Sequence, residues 1–419
     1  MRNLAKIILI LISFNSLAQE NLNLKDCYNL VTKNYPLAKQ SQLYEKQNLL
    51  DIEVIKTEKL PQFDFSAQAT YQSDITQMPV KIPNISIEPP NKDQYKATIS
   101  VNQLIYDGGM VNASTHVKSD ELKTQQKQVE VTLYQLKKRV NQLYFSILLI
   151  QEKKNLLTAK KNQLNSKLEE VKAGIKYGAL LPASDKVLEA ELLKIAQQFF
   201  ELDLNKTNLI ETLSNLIGEP ISKSATLETP TILTNLTTEI KRPELELFQL
   251  QKDYLETSEK LISKQNNPKL LGFATGGYGN PGLNMLDNSF QTYYHLGIKL
   301  NWNVFDWNAN KKQRESLLIN KDIIDTETAA FKLNTTIELT QQETDILRIS
   351  ELIESDKSII ELRKEILKSA ESQLKNGVIT SSAYITELTN LYEDENNLST
   401  HKIELLLAKS NYNLTQGIP

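Results

Sequence analysis

Cysteine, glycine and proline are all scarce in this sequence of 419 residues. The single cysteine, Cys27, excludes an internal disulfide framework and any cysteine-cluster metal site. Glycine and proline number 13 each, about half the usual glycine share, which argues against a loop-rich barrel or a dinucleotide-binding enzyme. An excess of one charge is missing too. Lys and Arg total 48 against 51 Asp and Glu, so no polybasic surface for nucleic acid is on offer. The only histidines are His116, His295 and His401, and no pair has metal-ligand spacing. No Ser-His-Asp order, paired-carboxylate signature or cofactor fingerprint stands out, so no catalytic residue, cofactor or metal is expected.

Long hydrophobic runs are absent beyond the first residues. Arg2 and Lys6 precede an apolar run, Ile7 to Ile12, and Ser16-Leu17-Ala18 offers small residues for cleavage. This pattern predicts a secretory signal peptide over residues 1–18, too short to span a bilayer; a buried N-terminal helix is the alternative. Cys27 lies nine residues past the expected cut with no small-residue run before it, so a buried thiol is expected rather than a lipid-modified one. If the mature chain enters a membrane, strands rather than helices must span it.

What is present is a duplication. Pro36 and Pro61 return as Pro243 and Pro268, a shift of 207. Asn102-Gln103-Leu104-Ile105-Tyr106-Asp107 returns as Asn301-Trp302-Asn303-Val304-Phe305-Asp306, and Gly178 as Gly377, both at a shift of 199. The difference falls on a longer first-copy loop at residues 78–90. The expected organisation is a first repeat at 19–217, a linker at 218–241 and a second repeat at 242–419.

Stretches without glycine or proline mark long helices. Residues 109–174 predict one of about 100 Å, and 307–376 its counterpart. Shorter helices are expected at 24–59, 182–217, 243–266 and 380–416. The first long helix carries an apolar seam at alternating steps of four and three from Leu122 to Ile175, broken only at Gln126, Lys154 and Lys161. Such a 3.5-residue repeat specifies coiled-coil-like packing against neighbouring helices.

Four strands are expected. Residues 63–71, 95–105 and 294–304 alternate apolar and polar side chains, while 269–279 is glycine-rich and alternates poorly. Gly276-Gly277-Tyr278-Gly279 lacks a following Lys-Ser/Thr and opens no helix, so a strand is preferred to a phosphate loop. Half-apolar strands of about ten residues fit either an outer-membrane barrel or a soluble sheet packed on one face. Four strands cannot close a membrane barrel, and an open edge in lipid leaves backbone groups unpaired. A barrel would have to be shared between chains.

An exported, duplicated chain of helix, strand, strand, long helix and helix resembles the TolC-type outer-membrane efflux proteins. The residues that carry the resemblance are Leu60-Pro61, Val101 to Gly109, Tyr177-Gly178, Val187-Leu188-Glu189-Ala190, Arg242-Pro243-Glu244-Leu245 and Asn301 to Trp307. The resemblance implies a mainly α chain whose long hairpins form an α-barrel tunnel in the periplasm. It also implies that four strands per chain build a twelve-stranded transmembrane β-barrel in a homotrimer. The implied function is an outer-membrane exit duct fed by an inner-membrane pump through a periplasmic adaptor. An exported coiled-coil scaffold or adaptor without a channel is the alternative.

Site expectations follow. Apolar Phe63, Phe65, Ala97, Ile99, Leu296 and Ile298 should face lipid, and Lys96, Thr98, Ser100, Lys299, Asn301 and Asn303 the lumen. Tyr106, Trp302, Phe305 and Trp307 sit at the strand-to-helix junctions, as a membrane-interface girdle or as packing. Asp107 and Asp306 are expected to cap helices rather than hold an ion. By resemblance, the tips around Tyr177, Gly178, Leu180, Asn376, Gly377 and Ile379 contact the adaptor. The family's acidic ring after the second tip is reduced here to Glu387, which leaves Asp185, Tyr384 and Glu387 as the candidate gate.

Overall fold

The computed structural model describes residues 22–76, 89–234, 236 and 239–418. The expected signal peptide and most of the 78–90 loop lie outside the described residues. The first half runs α1 (Leu24–Asn34), a 3-10 turn (Pro36–Ala38), α2 (Lys39–Thr57), β1 (Gln62–Tyr71), β2 (Asp93–Tyr106), α3 (Met110–Lys176) and α4 (Ser184–Ile217). The second runs α5 (Pro243–Lys264), β3 (Lys269–Asn280), β4 (Gln291–Asn301), α6 (Ala309–Lys375) and α7 (Ser381–Gln416). Each copy thus gives strand, strand, long helix and helix. Helices α3 and α6 are both 67 residues long, about 100 Å at the usual rise.

Two boundaries differ from expectation. The helix expected over 24–59 is broken at Tyr35, whose ψ of 137° is non-helical. Pro36 explains this, since its ring disfavours helical backbone at the residue before it. Strand β4 starts at Gln291 and stops at Asn301, so Trp302, Asn303 and Val304 lie beyond it. The partner strand begins at Lys269, paired with Asn301, and Pro268 before it has no N–H to extend the ladder.

The chain forms two compact units, each drawing on both copies. The helical unit comprises residues up to 40, 128–245 and 329 onward. Its first core joins Cys27, Tyr28 and Val31 to Val140, Tyr144, Phe145, Ile147 and Leu148 of α3, with Ile210, Leu213 and Ile217 of α4. The Tyr144 hydroxyl lies within hydrogen-bond distance of the carbonyls of Leu22 and Glu228, at 2.9 and 2.7 Å, and donating to either ties α3 to the segments flanking it. Burial pushes the Cys27 thiol up to about 12, so it stays protonated and inert. The second core carries the α3 seam onward as Leu157, Leu164, Leu168 and Val171, against Leu188, Ile360, Leu367, Leu374, Tyr384 and Leu388.

The other unit, residues 41–127 and 246–328, contains the sheet. Its strands follow the order β1-β2-β3-β4, all antiparallel, which leaves β1 and β4 as open edges within the chain.

Candidate functional site

The register divides the sheet into two chemically distinct faces. Phe63 opposes Val101, Phe65 opposes Ile99, Ala67 opposes Ala97, Ala274 opposes Leu296 and Gly272 opposes Ile298. Because directly paired residues share a face, these side chains and Leu300 make one apolar surface. Phe63, Phe65, Leu296 and Ile298 are 70–73% exposed, so none of the described residues covers them. The opposite face carries Lys96, Thr98, Ser100, Lys299 and Asn301. Ser100 and Thr275 share a hydrogen bond there at 3.0 Å, and Lys96 Nζ lies 5.8 Å from the Tyr293 ring. Phe273 lies over Gly297, where a Cβ would approach its ring to 2.8 Å. Asn303, expected on this polar face, is past the strand end and belongs to neither face.

Both strand-to-helix junctions use one device. Asp107 accepts from the N–H of Gly109 at 3.0 Å and of Val111 at 2.7 Å; Asp306 accepts from Asn310 N–H at 2.9 Å. Two left-handed residues follow each Asp, Gly108 and Gly109 in one copy but Trp307 and Asn308 in the other. Trp307 at a φ of 56° bears a backbone penalty of about 1–2 kcal/mol that a glycine there avoids. Asn267 donates to the Gly108 carbonyl at 2.7 Å and Asn266 to Asp306 at 2.6 Å, so adjacent amides serve both junctions. Tyr106, Trp302, Phe305 and Trp307 are 52–80% exposed and join no core among the described residues, although the Phe305 and Trp307 rings meet edge to face at 4.8 Å.

The turns ending α3 and α6 are built alike. Gly178 and Gly377 have φ near +70°, and the next N–H groups bond back into the helix, Ala179 to Gly174 O and Val378 to Gln373 O, both at 2.8 Å. These are glycine C-caps of Schellman type. Gly377 lies close enough to Ala179 that a Cβ would meet its carbonyl at 3.3 Å, so the two turns are neighbours. Leu180 and Ile379, expected to be outward, instead pack on the second helical core. They occupy equivalent places, two residues after the glycine, and fold back onto the helices that the turns end. Tyr177, Leu181 and Val378 are the apolar side chains left outside.

The candidate gate residues do not share one environment. Tyr384 is fully buried, its hydroxyl 3.5 Å from Gln163 and Lys167 Nζ 5.6 Å from its ring; burial raises its pKa. Glu387 pairs with Arg363 at 3.6 Å, and Asp185 with Lys186 at 3.6 Å. Two buried lysines were not anticipated. Lys160 meets Glu191 at 2.9 Å and Thr389 at 3.3 Å, while Lys167 meets Glu170 and Glu371 at 2.6 Å each. The seam spacing points to Lys161, one residue away and exposed; the signal for Lys167 is a carboxylate 204 residues distant, which no local pattern reveals.

Comparison with solved structures finds the same fold over nearly the whole chain. VceC, an outer membrane protein of Vibrio cholerae, is 14% identical with a TM-score of 0.66, over 94% of this chain and 96% of that one. The MtrE outer membrane channel of Neisseria gonorrhoeae is 12% identical with a TM-score of 0.64, over 97% and 94%. The CmeC outer membrane channel of Campylobacter jejuni is 15% identical with a TM-score of 0.63, over 95% and 86%. At such identities the likeness speaks for the fold. The sequence model of the outer membrane efflux proteins matches residues 28–219, nearly all of the first copy. By that match the first copy resembles the outer membrane efflux proteins. Sequence comparison with curated proteins finds no match. Among the described residues, no helix is long and apolar enough to cross a membrane. No group of three or more potential metal ligands occurs among them either.

Proposed function

We propose that this protein is the exit duct of a tripartite efflux or secretion system. Three copies close one twelve-stranded barrel in the outer membrane, and their long helices continue as a tunnel in the periplasm. Substrate delivered by an inner-membrane pump through a periplasmic adaptor then leaves by passive diffusion. The observation that supports this most strongly is the sheet, with edges and an apolar face that none of the described residues covers. In lipid, unpaired backbone groups cost several kcal/mol each, so edge pairing with further copies supplies what the chain lacks. An exported scaffold has no use for such a surface, which favours the channel over that alternative.

On this reading the polar face with Lys96, Thr98, Ser100, Lys299 and Asn301 lines the lumen, and Tyr106, Trp302, Phe305 and Trp307 form an interfacial girdle. The adaptor docks on the turns at Tyr177, Gly178, Asn376 and Gly377, with Leu181 and Val378 as apolar contacts. Asp185 and Glu387 supply the gate charge, while Tyr384 acts from inside the helical core by packing.

Export assays on Gly178→Val with Gly377→Val test the docking part. Gly178 has open space around it, so the change there acts mainly through backbone strain of about 1–2 kcal/mol. The expected outcome is loss of export with trimers still inserted. Unaltered export would reject the turns as the docking site.

A further inference from the structure

Just beyond the strand ends of the first copy lies a cavity of about 340 Å³, lined by Lys56, Lys59, Val111, Asn112, Thr115 and His116. Lys59 stands three residues before β1, and His116 lies two turns into α3. Two lysine side chains and an imidazole therefore converge on one space that no acidic side chain lines. Neither lysine has an ion pair among the described residues; Lys59 Nζ meets only the neutral Asn112 side chain, at 3.4 Å. The carboxylate within electrostatic reach of Lys59 is Asp107, which is committed to the N–H groups of Gly109 and Val111.

The duplication supplies an internal control. At a shift of 207, Ile52, Lys56 and Lys59 correspond to Glu259, Ser263 and Asn266; at 199, Asn112, Thr115 and His116 correspond to Lys311, Arg314 and Glu315. In the second copy the two cations at these positions are paired within the chain, Arg314 by Glu259 at 2.9 Å and Lys311 by Glu315 at 3.9 Å. In the first copy both acid positions are lost, to Ile52 and His116, while two lysines are gained. Uncompensated like charges in one pocket repel one another unless an anion joins them.

We propose that this first-copy pocket binds the phosphodiester of a membrane phospholipid headgroup. The assignment rests on the proposed membrane reading. The exposed aromatic rings at the strand ends mark the interface there, and the headgroup layer beyond the hydrocarbon is roughly 5–8 Å deep. Lys56 and Lys59 lie within about two helical turns of β1, so their flexible stems reach that layer. Asn112 and Thr115 add neutral polar groups beside them.

The test uses the full chain reconstituted into phosphatidylglycerol vesicles, purified in mild detergent and weighed by native mass spectrometry for retained phospholipid. Wild type should keep lipid on each chain. Lys56→Gln with Lys59→Gln should weaken retention about 30-fold, taking roughly fivefold per lysine near the surface. Lys56→Arg with Lys59→Arg should restore it, and Arg314→Gln in the charge-paired copy should leave it unchanged. Inorganic phosphate at millimolar concentration should not displace the lipid. Equal retention by the double Gln variant overturns the site, and displacement by inorganic phosphate makes it a free-phosphate site instead. Failure of wild type to enter vesicles at all would sink the membrane reading and the lipid assignment together, an outcome distinct from insertion without headgroup retention.

Discussion

The helical unit and the sheet unit treat their apolar residues in opposite ways. In the helices, Val140, Ile147, Leu157 and Leu164 are wholly buried against other helices of the same chain. In the sheet, Phe63, Phe65, Leu296 and Ile298 are about as apolar and remain more than two-thirds exposed. The contrast teaches that alternation in a strand and a heptad seam in a helix record the same pressure against different solvents. The helices find their apolar partner within the chain. The strands find none among the described residues, and on the proposed reading their partner is lipid on one face and further strands at the edges.

The largest effect that could break this contrast is a core truncation. Ile147→Ala should cost about 2–5 kcal/mol of stability by denaturant titration in detergent, the range for emptying a packed aliphatic site. Phe65→Ala should cost far less in the same titration, because its ring touches no chain-internal core. Similar losses at the two positions would mean that the sheet's apolar face is covered after all.

Next in size is insertion. A charge at a lipid-facing midplane position costs about 2–4 kcal/mol, so Leu296→Arg should sharply lower the fraction of chain refolded into vesicles. His295→Arg, one residue away on the opposite face, should leave it nearly unchanged. Equal effects would erase the distinction between the faces.

The smallest effects lie at the two junctions and sharpen the comparison between copies. Asp107→Ala should cost about 1 kcal/mol as a lost cap, read as a lower melting temperature. Partial desolvation opposes ionisation of Asp107, but the Val111 and Gly109 N–H groups and the charge of Lys59 outweigh it and hold its pKa below the ordinary carboxylate value. Its stabilising contribution is therefore complete above that ordinary value and fades as the pH falls through the depressed one. The wild-type advantage over Asp107→Ala should shrink on acidification; an advantage that grows would reverse the assignment. Trp307→Gly should raise the melting temperature slightly in detergent by removing left-handed strain, while weakening anchorage in bilayers.

Much of this architecture is legible in the sequence because it rests on local rules. The duplicated Pro and Gly landmarks bracket the elements, and the seam from Val129 to Val171 names core positions directly. The alternation from Tyr95 to Ile105 names the faces of β2. What is not legible depends on partners far along the chain. Lys160 and Lys167 look like solvent-facing seam neighbours until Glu191 and Glu371 are brought beside them. The end of β4 at Asn301 depends on where Pro268 stops its partner strand, which removed Asn303 from the face expected for it. Leu180 and Ile379 turn inward onto the second helical core, a burial set by helices far along the chain rather than by the local turn pattern. The left-handed pair Trp307 and Asn308 shows itself only when the second copy is laid over Gly108 and Gly109.

The central claim is that one chain supplies an incomplete sheet that only further copies and lipid can finish. The most direct measurement is the mass of the reconstituted protein in mild detergent, paired with its strand content by circular dichroism. The account predicts three chains per particle, with strand content that falls when the particle is dissociated. A stable monomer retaining its full strand content would contradict it.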